Sequence, residues 1–335
     1  MRMETSTRVL LDKYGRRHDY LRISVTDRCN LRCDYCMGPT GVPLLEHSQI
    51  LSYEEIVTVV KKAAKLGIKK VRISGGEPLV RKGIAGLIES LAAIPGIEDL
   101  AMTTNGQLLA AQAGELRKAG LKRVNISLDT LNPVIYRQIT RGGELALTLA
   151  GIEAALEVSL QPVKLNVVLM KGINHEEIAS LLEFTSSRHL HIRFIEYMPI
   201  SPYTTEWQER YLSLNSVVNT IRSLGYKVEL LADQGGCRGP AEIYQVEGMV
   251  GTLGLIHPVS RHFCKDCNRL RLTADGFLKP CLYWEEELSV RPFLNQPAAL
   301  EDLFFQALDL KRDQHAMEQG ENGEYNKRGM SKIGG

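Results

Sequence analysis

The chain of 335 residues has almost no excess of charge, with 41 Lys and Arg against 39 Asp and Glu. A general nucleic-acid surface works through clustered cations, so nucleic acid is not an expected partner. No apolar run is long enough to cross a bilayer, and residues 1–10 carry no hydrophobic signal core. A cytoplasmic location without a membrane partner is therefore the expectation. Solenoid repeats are missing, and the one biased stretch is the polar tail after Lys311. Cysteine is scarce, and its seven copies fall as three, one and three. That grouping fits metal ligation in a reducing compartment better than disulfides. Cys237, the single one, reads as a packed thiol.

What is present begins with Cys29, Cys33 and Cys36, spaced Cys-x3-Cys-x2-Cys directly after an apolar-alternating run at 20–25. Three thiolates on one loop can hold three corners of a cubic 4Fe–4S cluster and leave the fourth iron open. Closed electron carriers use four cysteines. Half a zinc site is the competing reading, but zinc knuckles favour Cys-x2-Cys pairs with a fourth ligand close by. The nearest downstream histidine, His47, lies beyond a Gly/Pro-containing turn. The spacing, with Tyr35 just before the last cysteine, resembles the radical S-adenosylmethionine (SAM) superfamily. That resemblance implies an open iron that chelates SAM, and an electron transfer that releases a 5′-deoxyadenosyl radical.

Short β-like runs alternate with amphipathic helical ones as far as about Pro199. Strands are expected at 20–25, 70–74, 100–103, 123–128, 163–169 and 191–197. Helices are expected at 53–66, 83–94, 107–119, 145–158 and 175–186, from apolar spacings near three and four. Six βα repeats indicate an α/β protein with a parallel sheet and right-handed crossovers, curling into a partial barrel. Chemistry in such folds collects at the carboxyl ends of the strands. The cysteine loop, Ser74-Gly75-Gly76-Glu77-Pro78, Thr103-Thr104-Asn105-Gly106, Ser127-Leu128-Asp129-Thr130 and Glu196-Tyr197-Met198-Pro199 would share that rim. The paired glycines either let a backbone approach a ligand or simply turn into a helix at Pro78. A further helix at 214–224, a glycine-rich stretch and β-like runs at 244–255 follow. A boundary near 200 is expected, with a core at 11–200 and a smaller region at 201–335.

Strand parity adds a second line. Alternate residues share a face, so Arg22 joins Ser24, Arg72 joins Ser74 and Lys164 joins Asn166. Cations inside apolar parallel strands are costly to bury without an anion, although single ones often snorkel to an edge. Three together suggest an interior lined for a polyanion.

Cys264, Cys267 and Cys281 form a second group, Cys-x2-Cys-x13-Cys. Spacing alone leaves open a structural zinc, with His262 or His257 as fourth ligand, and an iron–sulfur cluster. A chain already read as radical SAM tips the balance to a second 4Fe–4S cluster, its free iron facing the substrate. Arg269 and Arg271 flank Leu270, and on a strand both guanidiniums face one side. Forked donors suit phosphate, while a solvated basic edge is the bland alternative. The terminal Gly334 and Gly335 are either a mobile end or a segment able to thread into a narrow site.

The residues 20–29, the block from Phe263 to Gly276 and the Gly-Gly end together resemble the GTP 3′,8-cyclase family. These are radical SAM lyases that open molybdenum-cofactor (molybdopterin) biosynthesis, and the resemblance runs from about residue 11 to 335. It implies an incomplete (β/α)6 TIM-like barrel of the radical SAM type, with a smaller C-terminal region carrying the second cluster. It implies that Cys29, Cys33 and Cys36 hold the first cluster and that Cys264, Cys267 and Cys281 hold the second. Tyr35, Gly76, Ser127 and Met198 would contact SAM. Arg22, Arg72, Thr103, Lys164, Arg269, Leu270 and Arg271 would contact GTP. Arg22, Gly334 and Gly335 would serve catalysis. The implied reaction removes the ribose C3′ hydrogen of GTP and bonds C3′ to guanine C8. A flavodoxin- or ferredoxin-like electron donor, cyclic pyranopterin monophosphate synthase as the next enzyme, and a homodimer are the implied partners. Met37-Gly38-Pro39 departs from the usual pattern, in which proline follows methionine directly. A peptide-maturing radical SAM enzyme and a zinc-stabilised nucleotide-binding protein are the competing readings.

Overall fold

The computed structural model describes residues 8–200, 207–231, 239–317 and 328–334, so Cys237, Gly335 and the start of the expected C-terminal region lie outside the described residues. Six parallel strands stand in consecutive order: β1 (Tyr20–Ser24), β2 (Lys70–Ser74), β3 (Asp99–Thr104), β4 (Arg123–Ser127), β5 (Val163–Leu169) and β6 (Leu190–Glu196). All six were expected from the sequence, within one or two residues.

Later chain extends both edges. Beyond β6 come β9 (Leu253–Ile256), parallel to it, and then β8 (Ala241–Val246) and β7 (Val228–Leu230), antiparallel. Beside β1 lies β10 (Arg269–Leu272), parallel, followed by β11 (Phe277–Lys279) and β12 (Leu288–Ser289). Among the described residues no pairing joins β12 to β7, so the 12-stranded sheet stays open as an incomplete (β/α)6 barrel. The link between β9 and β10 joins the two flanks of the sheet and carries Cys264 and Cys267.

The helices follow from local chemistry. Ser52 caps the helix Tyr53–Lys65 by accepting from Glu55 N at 3.2 Å, while Glu55 accepts from Ser52 N at 2.7 Å. Ile56, Val59, Val60 and Ala63 on its inner face are buried against the sheet. The helix Pro133–Thr140 was not expected, although Asn132 caps it and Pro133 opens it. The helix Pro297–Asp309 was also missed; it packs Leu300, Leu303 and Phe304 into the same core.

Parity divides each strand. Leu21, Ile23, Val71, Ile73, Leu270 and Leu272 face the helices and are buried together. Each such side chain contributes roughly 1.5–3 kcal/mol by leaving water. Arg22, Arg72 and Arg271 alternate with them and face inward.

Candidate active site

Parallel register sets Arg271, Arg22 and Arg72 side by side across β10, β1 and β2. It likewise aligns Asn125, Lys164 and His191 across β4, β5 and β6, and then Ser127, Asn166 and Arg193. The cations of these rows, with Arg123 and Arg269, line one recess of about 510 Å³. Burial, and then the charge of Arg271, push Arg22 down to about 9. Burial and Arg72 push Arg193 to about 9, and Arg72 and Arg271 fall to about 10. Lys164 drops to about 7 through burial and then Arg193, Arg123 and Arg72. Where burial and mutual repulsion both disfavour the charged forms, an anion would stabilise them. Of the carboxylates in the recess, Asp99 is committed to Arg123, with contacts of 2.9 and 2.5 Å.

The first three cysteines line the same recess. Burial raises Cys29 to about 11, and burial with the neighbouring thiols raises Cys33 and Cys36 further. Thiols crowded in this way become ligands when a cationic core sits among them, which fits iron. The loop is docked on the strand ends: Gly76 N donates to Thr26 O at 2.7 Å and Glu77 N to Arg28 O at 2.8 Å. A Cβ on Gly76 would lie 2.2 Å from Arg28 O, and one on Gly75 2.7 Å from Thr26 O. Glycine is thus demanded here by the main chain of the cysteine loop, a reason the sequence did not disclose. Glu77 is buried and accepts from Thr104 Oγ1 and Asn105 N, each at 2.7 Å. Burial raises its carboxyl to about 7 despite these donors. After the loop, the Met37 carbonyl is held by Arg141 at 2.7 Å, and Gly38 bridges Gly41 where the usual sequence pattern is broken.

Tyr35, Gly76, Ser127, Met198 and Thr103 also line the recess. Leu270 does not. Its side chain is fully buried on the helix side, so any contact it makes with substrate runs through its main chain.

The second cysteine group assembles outside the recess lining, although its neighbours Phe263, Asn268 and Leu282 belong to it. Cys264 and Cys267 bracket a short 3-10 turn, and Cys281 follows β11. Arg16 donates to Cys264 O at 2.9 Å, and Lys311 to Arg269 O and Pro280 O at 2.8 and 2.6 Å. Burial raises Cys264 to about 11. Burial would also raise Cys267, but Lys311 and Arg269 outweigh it and hold the thiol at about 7. His257 lies between Glu196 and Glu242, at 3.5 and 3.4 Å, and His262 meets His315 edge-on with its buried Nδ1 unpartnered among the described residues, so of the two zinc candidates only His257 faces carboxylates. Among the described residues no three His, Cys, Asp or Glu side chains converge on a single-ion site. Donor chemistry, rather than a preformed single-ion geometry, supports both groups as cluster ligands.

The tail is docked as far as it is described. Met330 and Ser331 line the recess, Ile333 is fully buried, and the Gly334 carbonyl accepts from Arg271. Arg123, Arg193, Lys70 and Asn166 were not singled out as ligands from the sequence. Extending the parity of Arg22 to β4 and β6 would have found Arg123 and Arg193.

Residues 23–185 match a family model described as the Radical SAM superfamily, and residues 190–317 one described as Molybdenum Cofactor Synthesis C. A GTP 3′,8-cyclase of Listeria monocytogenes is 50% identical over 332 residues, 98% of this chain and 99% of that protein. One of Petrotoga mobilis is 48% identical over 328 residues, 97% of this chain and 100% of that protein. The crystal structure of SuiB from Streptococcus suis bound to S-adenosylmethionine aligns with a TM-score of 0.61 at 16% identity. That alignment covers 88% of this chain and 68% of the other, and the likeness is one of fold.

Proposed function

The chain belongs to the GTP 3′,8-cyclase family of radical SAM enzymes, and from that membership we infer that it converts GTP to 3′,8-cyclo-7,8-dihydroguanosine 5′-triphosphate, the first step of molybdenum-cofactor biosynthesis. Cys29, Cys33 and Cys36 would hold one 4Fe–4S cluster, and Cys264, Cys267 and Cys281 the other. When bound, the first cluster and SAM would supply a 5′-deoxyadenosyl radical for hydrogen abstraction, and the second cluster would offer an open iron to the substrate. Tyr35, Gly76, Ser127 and Met198 are assigned to SAM.

Arg22, Arg72, Thr103, Lys164, Arg269 and Arg271 are assigned to GTP, with Leu270 contributing main chain. Closing C3′ on guanine C8 needs ribose and base held in one orientation, with water kept away. The cations fix the triphosphate end, so the ribose is presented toward the cysteine-loop rim. Arg22, flanked in register by Arg271 and Arg72, is assigned to catalysis together with Gly334 and Gly335. The observation that carries this reading is the unbroken register of Arg271, Arg22 and Arg72 beside three crowded thiols.

No helix among the described residues is long and apolar enough to cross a membrane. We place the protein in the cytoplasm, as a homodimer reduced by a flavodoxin- or ferredoxin-like donor. Its product would go to cyclic pyranopterin monophosphate synthase. The core at 11–200 and the region at 201–335 are proposed as its two functional parts.

The test is anaerobic turnover of the reconstituted protein with GTP, SAM and a reductant. The expected products are 5′-deoxyadenosine and a cyclised nucleotide in equal amounts, both lost in Cys29→Ala. SAM cleavage that ignores GTP and yields no new nucleotide would overturn the substrate assignment.

A further inference from the structure

The C-terminal strap enters the site with a fixed anchor. Arg328 donates through Nη1 to Asp275 at 2.7 Å and through Nη2 to Glu287 at 2.5 Å, with its guanidinium 4.9 Å from the Phe277 ring centre. Both carboxylates are themselves held. Asp275 sits in the β10–β11 turn, where Thr273 Oγ1 donates to its other oxygen at 2.6 Å. Glu287 also meets Lys279, which is fully buried, at 3.3 Å. A forked cation spanning two fixed carboxylates over an aromatic face is a geometry that arginine alone provides.

The far end of the strap returns to the same hairpin. Gly334 has a φ of +72°, and a Cβ there would lie 3.4 Å from Ser24 Cβ, while its carbonyl accepts from Arg271 of β10. Between the two attachments, a Cβ on Gly329 would sit 3.7 Å from Cys36 O, and Ile333 is fully buried. The strap therefore runs from the β10–β11 turn past the first cysteine loop to the cation row. Its register along that path is set where it is pinned.

We infer that Arg328 is the positioning residue for the terminal glycines: clamped by Asp275 and Glu287, it fixes where Gly334 meets Arg271. The inference rests on the catalytic role proposed above for the glycine pair. Arg328 is not among the residues that line the recess, so its loss is expected to act on turnover through the strap.

The test uses the anaerobic holoenzyme with both clusters and compares wild type, Arg328→Gln, Arg328→Lys and a chain lacking Gly334 and Gly335. Hydrogen exchange of the strap amides at 329–334 is expected to quicken about tenfold in Arg328→Gln as the clamp opens. In that variant kcat should fall about tenfold, as misplacement of a catalytic group requires. KM for GTP should stay within about twofold, because nucleotide binding is untouched. Iron content should not change, and Arg328→Lys should fall between the two. Wild-type exchange in Arg328→Gln would overturn the anchor. Faster exchange with wild-type kcat, while the shortened chain is inactive, would overturn the positioning role. Full activity of the shortened chain would instead overturn the catalytic reading of the glycines, with exchange still deciding the anchor.

Discussion

The Tyr35 hydroxyl donates a 2.7 Å hydrogen bond to Asp129 Oδ2 and so joins the cysteine loop to the end of β4. Asp129 is buried, and its other oxygen accepts from Val168 N at 2.8 Å. Tyr35→Phe leaves a buried carboxylate oxygen without that donor and is expected to cost about 1–3 kcal/mol of stability. Chemical unfolding of the apo-protein measures the loss. In an Asp129→Asn background the same change should cost less, and strictly additive losses would show that the pair is not coupled.

Gly76→Ala is expected to block loading of the first cluster. The added methyl would overlap Arg28 O, a main-chain atom of the cysteine loop, so the loop must lift. Iron content of the reconstituted protein should fall by about four, with the second cluster retained. A full complement of iron in Gly76→Ala would mean that the loop tolerates the shift.

Lys164 should make GTP binding depend on pH. Held at about 7 by burial and neighbouring cations, it is partly neutral in the empty site near neutrality. A triphosphate favours its charged form, so binding takes up a proton above pH 7 and none well below it. Affinity should fall with rising pH by at most about tenfold per unit, until the pKa of the bound state is passed. For the unliganded fold the sign is reversed. The unfolded chain keeps its proton into the ordinary lysine range, so stability from this site rises as pH climbs above 7. Calorimetry in buffers of differing ionisation enthalpy reads the uptake, and Lys164→Met should abolish it. Uptake persisting in that variant would belong to another group.

The inward face of β1, β2 and β5 was legible because charge at alternate positions of an apolar parallel strand has few explanations. Arg22, Arg72 and Lys164 all line the recess. The three crowded thiols were legible for a similar reason, since their spacing is short and local. What stayed hidden depends on contacts between distant segments. Parity within β10 says nothing of which strand it joins, so the row from Arg271 to Arg22 and Arg72 emerged only with the parallel pairing of β10 on β1. The reason for Gly76 lies 48 residues earlier in sequence, at Arg28 O. The strap was ambiguous because a short polar segment folds only against a surface made elsewhere.

Leu270→Ala separates packing from binding at the centre of the Arg269–Arg271 segment. The side chain is fully buried in the helix-side core, and its truncation should cost about 2–5 kcal/mol. GTP affinity of the folded variant, measured well below its melting temperature, should match wild type. A large loss of affinity with unchanged stability would place the side chain in the nucleotide site.

Both flanks of the six-strand sheet are finished by chain that a ribosome delivers late: β9 reaches β6, and β10 reaches β1. A product released prematurely at about residue 200 would present two bare strand edges, one at each side, ready to pair with other copies. Nascent-chain protection and prompt completion of the chain after residue 200 therefore matter to yield. Nonsense truncation should give insoluble material rather than a working half.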